Sequence, residues 1–343
     1  MRDNAARILA HVPNGTQLIA VVKANGYSHG AVRVARAAVG GGATWLAVTN
    51  LEEGRDLVGL VHRERILVIG GLVPKQAAAA ASSGFTIGVS SPEFAKALGA
   101  SDEVVPVHLK IDTGMGRLGV SMEEAPALAR LIDASSGLRL AGTWTHFASA
   151  DTDDAMTRLQ FDRFQRAVAT LGVDPGLRHI CNSVGAFRHP DFALDAVRCG
   201  IAIYGCEWPG MEPALALRSV ITHLKTVEKG ATVGYGATWQ APGRARVATV
   251  AIGYADGVFR ARANRGFVLV RGRLAQLIGM VSMDAITLDV TDIPGVQVGD
   301  VATLIGQDGD QRITAEEVAA WSQTVSWEVL TSLGPRVARR YSE

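Results

Sequence analysis

Short apolar runs alternate with helix-like segments through the first two thirds of the chain. Eight such runs, each bounded by turn residues, fall at 18–22, 44–48, 66–69, 85–89, 105–111, 138–144, 177–181 and 194–203. Segments with the apolar spacing of a helix lie at 51–61, 91–98, 122–132 and 154–171, and the alanine run 77–81 also fits a helix. Alternating strands and helices are typical of parallel βα units, so the class is α/β, and eight strands predict a (β/α)8 barrel of the TIM type. A doubly wound open sheet is the competing architecture.

The pattern changes after about residue 212. β-branched runs at 246–252, 267–271, 286–290 and 301–305, with one clear helix at 315–321, predict a β-rich second domain. We therefore expect a barrel domain over residues 1–213 and a β-rich domain over residues 214–343, and 343 residues are ample for both.

Charge and cysteine usage exclude several classes of function. The 34 basic and 33 acidic residues leave a net charge of +1, and no Lys/Arg-rich run offers a footprint for nucleic acid or anionic lipid. Cys181, Cys199 and Cys206 show neither metal-ligand spacing nor a paired disulfide framework, which favours a reducing compartment. With no secretory signal and no run long enough for a membrane span, we expect a soluble cytoplasmic protein that uses no metal.

The first apolar strand ends on Lys23, which leads through a glycine turn into a helical segment. An amine at the mouth of a strand can form a Schiff base with a carbonyl cofactor or substrate. A lone lysine at a strand end is more often a solvated charge. Other polar residues nevertheless repeat the arrangement, because Arg117, His146 and the pair Asn182 and Ser183 follow later strands.

In a barrel enzyme the catalytic groups gather at the carboxyl ends of the strands, and phosphate binds near the last two. The final strand region contains Arg198, followed by Gly200, where backbone N–H groups can approach a phosphate closely. The sequence therefore predicts an active site that combines an amine, a guanidinium and a phosphate cradle.

At this point the chain closely resembles the alanine racemase family over nearly its whole length. Several long motifs in order carry the resemblance: Ala20-Val-Val-Lys-Ala-Asn-Gly-Tyr27, His108-Leu-Lys-Ile-Asp-Thr-Gly-Met-Gly-Arg117, Val197-Arg-Cys-Gly-Ile-Ala-Ile-Tyr-Gly205, Gly234-Tyr-Gly-Ala-Thr-Trp239, Ile252-Gly-Tyr-Ala-Asp-Gly257 and Val281-Ser-Met-Asp284. The resemblance implies a pyridoxal 5′-phosphate (PLP) enzyme with a barrel followed by a β domain.

By resemblance, Lys23 holds PLP as a Schiff base and acts as one catalytic base once the substrate has replaced it. Racemisation needs a second acid/base on the opposite face of the α-carbon, and the matching residue is Tyr235, contributed by the other subunit of a homodimer. Taken alone, Tyr235 would more often be a packing tyrosine.

The resemblance also assigns the residues around the cofactor. His146 links the catalytic tyrosine to Arg198, which faces the pyridine nitrogen. A guanidinium stays protonated, so that nitrogen is disfavoured from gaining a proton, and return of a proton to the α-carbon is favoured over transamination. The phosphate contacts carried over are Tyr27, Ser183, Gly200 and Ile201, and Asn182 also belongs to the predicted cofactor site.

Substrate contacts come from the same resemblance. Arg117 and the backbone at Met283 match groups that hold the substrate carboxylate, while Tyr254 and Asp284 match residues on the substrate access path. Lys110 matches a lysine that is carbamylated in some members, where it orients the arginine; unmodified, it would repel Arg117.

Two features depart from the family pattern. Trp327 stands where the family usually has a tyrosine that contacts the phosphate, and an indole N–H would donate there from a larger ring. The chain also starts at the first helix, without the strand that precedes it in the family.

We therefore expect a homodimeric enzyme that interconverts L- and D-alanine and supplies D-alanine for peptidoglycan. A racemase of serine or of several amino acids is the nearest alternative, because the motifs say little about side-chain capacity. A decarboxylase on the same scaffold and a non-catalytic PLP-binding protein are further alternatives, disfavoured by Arg198 and by the second domain with Tyr235 respectively.

Overall fold

Eight parallel strands close into a barrel in the computed structural model, which describes residues 1–341. They are β1 (Gln17–Val21), β2 (Trp45–Val48), β3 (Ile66–Val68), β4 (Thr86–Val89), β5 (Val105–Lys110), β6 (Leu138–Trp144), β7 (Leu177–His179) and β8 (Ala196–Cys199). Each pairs with the next, and β8 returns to β1 with Ile19 opposite Arg198. The predicted barrel is confirmed, and the closing pair excludes the open sheet.

Helices lie between most of the strands. They are α1 (Arg2–His11), α2 (Lys23–Tyr27), α3 (Ala31–Gly40), α4 (Leu51–Arg55), α5 (Ala77–Ala81), α6 (Pro92–Gly99), α7 (Ala125–Asp133), α8 (Asp154–Ala169) and α9 (Ser183–Arg188). Side-chain caps start several of them: Asn50 accepts from Glu53 N–H, Ser91 from Phe94 N–H and Asp153 from Met156 N–H. Short 3₁₀ turns cover Arg63–Arg65, Pro74–Gln76 and Pro190–Phe192.

The strands are buried on both faces, as a barrel enclosed by helices requires. All residues of β2, β4, β5 and β8 are buried. The core between sheet and helices includes Phe85, Phe164 and Leu46, each fully buried. Burial of this apolar surface is the main stabilisation of the barrel.

The chain divides into two compact units, the first over Met1–Glu212 and the second from Pro213 onwards. The second unit is an antiparallel β domain with strands β9 (Leu217–Val227), β10 (Thr232–Val233), β11 (Trp239–Gln240), β12 (Ala245–Val250), β13 (Phe267–Val270), β14 (Arg273–Ile278), β15 (Ile286–Asp289), β16 (Val301–Asp308) and β17 (Gln311–Ile313). Seven of them form one sheet in the order β13-β14-β15-β12-β9-β16-β17, and β13 also pairs with β16. This confirms the predicted β-rich domain.

The sheet of the second unit thus closes on itself, because β13 reaches β16 as well as β14. Val233, Val247 and Ile278 form a buried cluster against it. Helices α10 (Ala315–Ser322) and α11 (Ser326–Thr331) follow the sheet, and 3₁₀ turns occupy Tyr235–Ala237, Tyr254–Asp256 and Arg260–Arg262. Among residues 1–341, no helix has the length and apolarity that crossing a bilayer demands.

Candidate active site

Seven of the predicted residues gather at the carboxyl end of the barrel. In a closed parallel barrel all strands end on the same side, so residues just past different strands become neighbours. Lys23 follows β1, Lys110 ends β5, Arg117 lies in the loop after it, His146 follows β6, Asn182 and Ser183 follow β7, and Arg198 lies in β8. These seven residues therefore lie at one end of the fold.

The segment that carries Lys23 has an unusual backbone. Residues 24–28 all have φ between 48° and 64°, so the helical turn α2 is left-handed. This conformation costs a non-glycine residue about 1–2 kcal/mol, and only Gly26 avoids the cost. A Cβ at Gly26 would also lie 2.9 Å from Val34 Cγ2. Strain of this kind is concentrated at functional sites.

The amine of Lys23 is half-buried in a cationic environment. Burial and the charge of Arg117 lower the pKa of Lys23, and Glu53 partly opposes them. A lowered pKa leaves more of the lysine as the free amine that attacks a carbonyl.

A cradle of hydrogen-bond donors lies between α2 and the end of β8. Ser183 Oγ accepts from the N–H of Gly200 at 3.1 Å and of Ala202 at 3.4 Å. A Cβ at Gly200 would lie 2.6 Å from Tyr27 Oη, so glycine lets this hydroxyl approach the backbone. Burial raises the pKa of Tyr27 to about 12, and Cys199 adds to the shift, which keeps the phenol protonated as a donor. Ile201 is buried beside this group.

Asn182 has a local structural role as well as its place beside the cradle. Its Oδ1 accepts from Gly185 N–H at 2.8 Å and caps the start of α9. The cap orients the first turn of α9, which carries Ser183.

Arg198 is a buried guanidinium whose hydrogen-bond partners within residues 1–341 are all uncharged. It contacts the carbonyl oxygens of Thr145 and Ile180 at 2.7 and 3.0 Å, and the Nδ1 atoms of His179 and His146 at 2.7 and 3.1 Å. The ring of Trp144 lies 4.7 Å from its Cζ atom. Burial lowers the pKa of Arg198 to about 10, so the group remains a cation at neutral pH.

Two neutral histidines form a hydrogen-bonded chain with Arg198. His179 Nε2 lies 2.8 Å from His108 Nδ1, and both rings are fully buried. Because Arg198 can only donate, His179 Nδ1 must accept, which leaves the proton on Nε2 to be donated to His108. Burial and the charge of Arg198 lower the pKa of His108 to about 3 and hold that of His179 well below its ordinary value.

The tautomer of His146 is fixed by the same kind of contact. Arg198 donates to its Nδ1, so the proton of the neutral ring resides on Nε2. Burial, together with the charges of Arg198, Lys110, Arg117 and Lys23, keeps the pKa of His146 well below its ordinary value. The ring therefore offers one N–H donor at its outer nitrogen.

Lys110 is a buried amine with its Nζ 3.7 Å from the centre of the Trp144 ring. Burial and the charges of Arg198 and Arg117 hold its pKa well below its usual range, although Asp112 acts in the opposite sense. The loop that bears the exposed Arg117 is closed by Asp112, whose carboxylate accepts from the N–H groups of Gly114, Met115 and Gly116. Although burial opposes it, these donors keep the pKa of Asp112 below its ordinary value.

The remaining predicted residues belong to the second unit. Tyr235 starts a 3₁₀ turn after Gly234, with φ 77°, and its side chain is 72% exposed. The backbone of the Tyr254 turn meets the Met283 loop, because Tyr254 N–H donates to Ser282 O and Ala255 N–H to Met283 O. Tyr254 and Met283 are exposed.

Asp284 and Trp327 complete the residues predicted in this unit. Asp284 forms an ion pair of 2.7 Å with Arg336, which also contacts Asp256 at 2.9 Å. Trp327 is half-buried in α11. Arg336 was not predicted, and its position near the end of the chain gave no signal of this contact.

Three other residues near the site were not predicted to have a role there. His179 and Trp144 were counted only as members of strands, and the Glu53 carboxylate was assigned to a helix without a role. Polar side chains inside otherwise apolar strands were the available signal for His179.

The donor set fits PLP. The hydroxyls of Tyr27 and Ser183 and the N–H of Ile201 offer donors to a phosphate. Within residues 1–341 the Ile201 N–H has no hydrogen-bond acceptor, whereas the Gly200 N–H donates to Ser183 Oγ. An amine of lowered pKa and a buried cation with neutral partners complete the set. With the barrel and the β domain, these features define the class of barrel-fold PLP-dependent enzymes.

Comparison with known proteins identifies the family within this class. Residues 1–207 match the family described as "Alanine racemase, N-terminal domain" and residues 214–341 match "Alanine racemase, C-terminal domain". The alanine racemase of Symbiobacterium thermophilum is 39% identical over 350 residues, covering 98% of this chain and 93% of the relative. The chain belongs to the alanine racemase family.

Solved structures agree with this assignment. Alanine racemase from E. faecalis has a TM-score of 0.91 at 34% identity, covering 98% of this chain and 94% of its own. Alanine racemase from Bartonella henselae "with covalently bound pyridoxal phosphate" has a TM-score of 0.90 at 29% identity, covering 99% and 96%. The predicted family, fold class, enzyme class and cofactor are confirmed, and the predicted function is confirmed at the level of the family.

Proposed function

We propose that this protein interconverts L- and D-alanine as a homodimer, with PLP held by Lys23 and with Lys23 and Tyr235 as the two catalytic acid/bases. The observation that carries the proposal is the pairing, at one end of the barrel, of an amine of lowered pKa with a buried guanidinium whose partners are neutral. When bound, PLP withdraws electrons from the α-carbon of the amino acid and so acidifies its proton.

The side chains divide the remaining work. Tyr27, Ser183 and the backbone at Gly200 and Ile201 hold the phosphate, Asn182 orients the helix that carries Ser183, and Arg198 remains a hydrogen-bond donor toward the cofactor. Arg117 and the Met283 backbone hold the substrate carboxylate, with Tyr254 and Asp284 along the access path. The cationic surroundings of Lys23 suit a ligand that carries both a phosphate and a carboxylate.

Proton transfer needs two groups on opposite faces of the α-carbon. Lys23 Nζ removes or returns the proton on one face, and Tyr235 Oη does so on the other. An unperturbed phenol is a weak base at neutral pH, so a donor must favour its ionised form. The outer N–H of His146, fixed by Arg198, is the donor that we assign to it.

Tyr235 belongs to a second copy of the chain in this proposal. Its 72% exposure supports the assignment, because a catalytic phenol in a shared site is covered only when two copies associate. In this proposal residues 1–213 bind the cofactor, and residues 214–343 supply the second base. A cytoplasmic location and the supply of D-alanine to peptidoglycan complete the proposal.

We propose carbamylation for Lys110. Carbamylation joins CO2 to the uncharged amine, which loses one N–H proton, and the lowered pKa of Lys110 favours that uncharged form. The carbamate would be an anion between Arg117 and Arg198, where an ammonium would repel both.

The test is to add PLP to the purified protein, supply L-alanine and follow the optical rotation. Decay to zero, and the same end point from D-alanine, is the expected result. Unchanged rotation with bound PLP would contradict the proposal and would direct attention to serine or to a broader panel of amino acids.

A further inference from the structure

The left-handed turn α2 needs support from outside itself. Lys23 and Tyr27 lie at its two ends, so the positions of both depend on a backbone that L-residues disfavour. Left-handed residues persist where the surrounding structure fixes them. The question is which group supplies that support.

Most hydrogen bonds of the turn are internal. Gly26 N–H donates to Val22 O at 2.9 Å, Ser28 N–H to Ala24 O at 3.0 Å and Gly30 N–H to Asn25 O at 2.9 Å. The N–H of Ala24, the first left-handed residue after Lys23, instead donates to the Oε1 atom of Glu53 at 2.7 Å. This side chain comes from a different βα unit.

The other oxygen of Glu53 reaches the end of the neighbouring strand. Oε2 accepts from Thr49 N–H at 2.7 Å, just past β2. The two strands pair directly, and Val22 N–H donates to Ala47 O. One carboxylate thus joins the chain at the exits of β1 and β2 through two short charge-assisted hydrogen bonds.

Glu53 is itself held in place. Its N–H donates at 2.9 Å to Oδ1 of Asn50, the cap of α4. The neighbouring Glu52 is exposed and pairs with Arg55 at 3.6 Å. Of the two adjacent glutamates, Glu53 is therefore held in one position, whereas Glu52 is an ordinary surface charge.

We propose that Glu53 is the positioning residue that holds the left-handed turn and thereby fixes Lys23 and Tyr27 for cofactor binding; this rests on the proposed function of Lys23. Its negative charge also opposes the burial and the Arg117 field that lower the pKa of Lys23.

The experiment compares Glu53→Gln with Glu52→Gln in the full chain, with PLP removed and with PLP added. An amide keeps one acceptor but turns its NH2 toward the second N–H, so one hydrogen bond is lost without a change of shape. Hydrogen exchange of peptides covering residues 22–31, measured on the protein free of PLP, should be about 10-fold faster in Glu53→Gln. The PLP dissociation constant should rise about 10-fold, and Glu52→Gln should match the wild type in both measurements.

A second substitution tests the strain directly. Ala24→Gly lets the first left-handed residue adopt its backbone without steric cost, so it should restore part of the PLP affinity lost in Glu53→Gln. It also covers the case in which Glu53→Gln alone fails to fold, because the double variant should then fold and bind PLP.

Three results would overturn the proposal. They are equal behaviour of the two glutamate variants, faster exchange spread over all barrel peptides, and no rescue by Ala24→Gly. Failure of the proposed function has a different signature: Lys23→Ala would bind PLP as the wild type does, while the exchange data on PLP-free protein would still decide the role of Glu53.

Discussion

Arg198 concentrates the electrostatics of the candidate site in one residue. It is buried, it stays charged at neutral pH, and its hydrogen-bond partners within residues 1–341 are carbonyl oxygens and neutral histidines. A buried cation without a nearby anion is costly unless a ligand supplies one. In the proposed site the carbamate of Lys110 would provide negative charge near Arg198.

Tyr235→Phe removes one proton carrier and leaves the ring in place. If Lys23 and Tyr235 serve opposite faces, exchange of the α-proton with D2O should fall about 100-fold or more for one enantiomer and much less for the other. NMR of L- and D-alanine incubated separately in D2O measures both rates. Equal losses for the two enantiomers would contradict the two-base assignment.

Gly200→Ala should weaken PLP binding. The new Cβ would lie 2.6 Å from Tyr27 Oη, so the hydroxyl must move and its hydrogen bond to a charged phosphate is lost. Such a bond contributes about 1.5–3 kcal/mol, which corresponds to a rise of about 10- to 150-fold in the PLP dissociation constant.

Gly243→Ala is the matched control, since a Cβ there meets no atom within 4 Å. Fluorescence titration with PLP measures both variants. Equal affinities would show that the cradle between Tyr27 and Gly200 is not the phosphate site.

The sequence could predict the chemical groups but not the contacts that set their properties. Lys23 and Arg198 were recognisable because they lie within long motifs near strand ends, and His146 because it follows the sixth predicted strand. The support by Glu53 depends on a left-handed turn, and local propensity argues against that conformation for Ala24 and Tyr27. The contact between His179 and Arg198 can be recognised only once β7 and β8 are paired in the barrel.

At the scale of elements, strand ends were the least predictable feature. The eighth apolar run was predicted over 194–203, whereas β8 covers only Ala196–Cys199, because the chain turns at Gly200 to form the cradle. The helix predicted over 51–61 ends at Arg55, ahead of Gly59 with φ 92°. Apolar composition continues through both turns and therefore conceals them.

In the second domain a strand was missed, rather than predicted too long. Strand β9, Leu217–Val227, was not predicted, because most of its residues are exposed and Thr, Lys and His interrupt the apolar pattern. It nonetheless joins β12 to β16 in the sheet. A search for continuous apolar runs misses such a strand, because polar residues occupy its exposed face.

Three neutral histidines in and next to β5, β6 and β7, of which His108 and His179 are fully buried and His146 is half-buried, make the barrel sensitive to acid. The pKa of His108 is about 3, and those of His146 and His179 are also lowered by burial, whereas an unfolded chain has an ordinary histidine pKa near 6.5. Below about pH 6.5 the unfolded chain therefore binds more protons than the folded one. The free energy of unfolding consequently decreases as the pH is lowered.

Each histidine contributes at most about 1.4 kcal/mol per pH unit, so the three together contribute at most about 4. Urea unfolding between pH 6.5 and 5.5 measures the slope. His108→Gln should reduce the slope by about one third, while the exposed His62→Gln should leave it unchanged. A slope unaffected by His108→Gln would mean that this ring is protonated in the folded barrel.

At the scale of the whole molecule, the proposed shared site can be tested by mixing inactive variants. Lys23→Ala and Tyr235→Ala each disable one half of the site. In a mixed dimer both changes fall in one site and the other site is intact, so random mixing should restore about a quarter of the wild-type activity.

Each variant alone provides the baseline, and mixing either one with itself controls for the unfolding and refolding used to exchange subunits. Racemase activity after joint refolding is the measurement. A mixture that stays inactive would place both residues of each site in the same chain.

The closure of both sheets limits how two copies can meet. Among the described strands, every one of four residues or more has a neighbour on each side over part of its length, but residues 223–227 of β9 pair only with β12. Unpaired edges therefore belong to this segment, to β17 and to the two-residue pair β10 and β11. Joining two copies by extending a sheet across their boundary is therefore open to these segments of the second unit, whereas the closed barrel offers no edge strand. Elsewhere, recognition between subunits must be encoded in side chains and loops, and so it can change by substitution without disturbing either sheet.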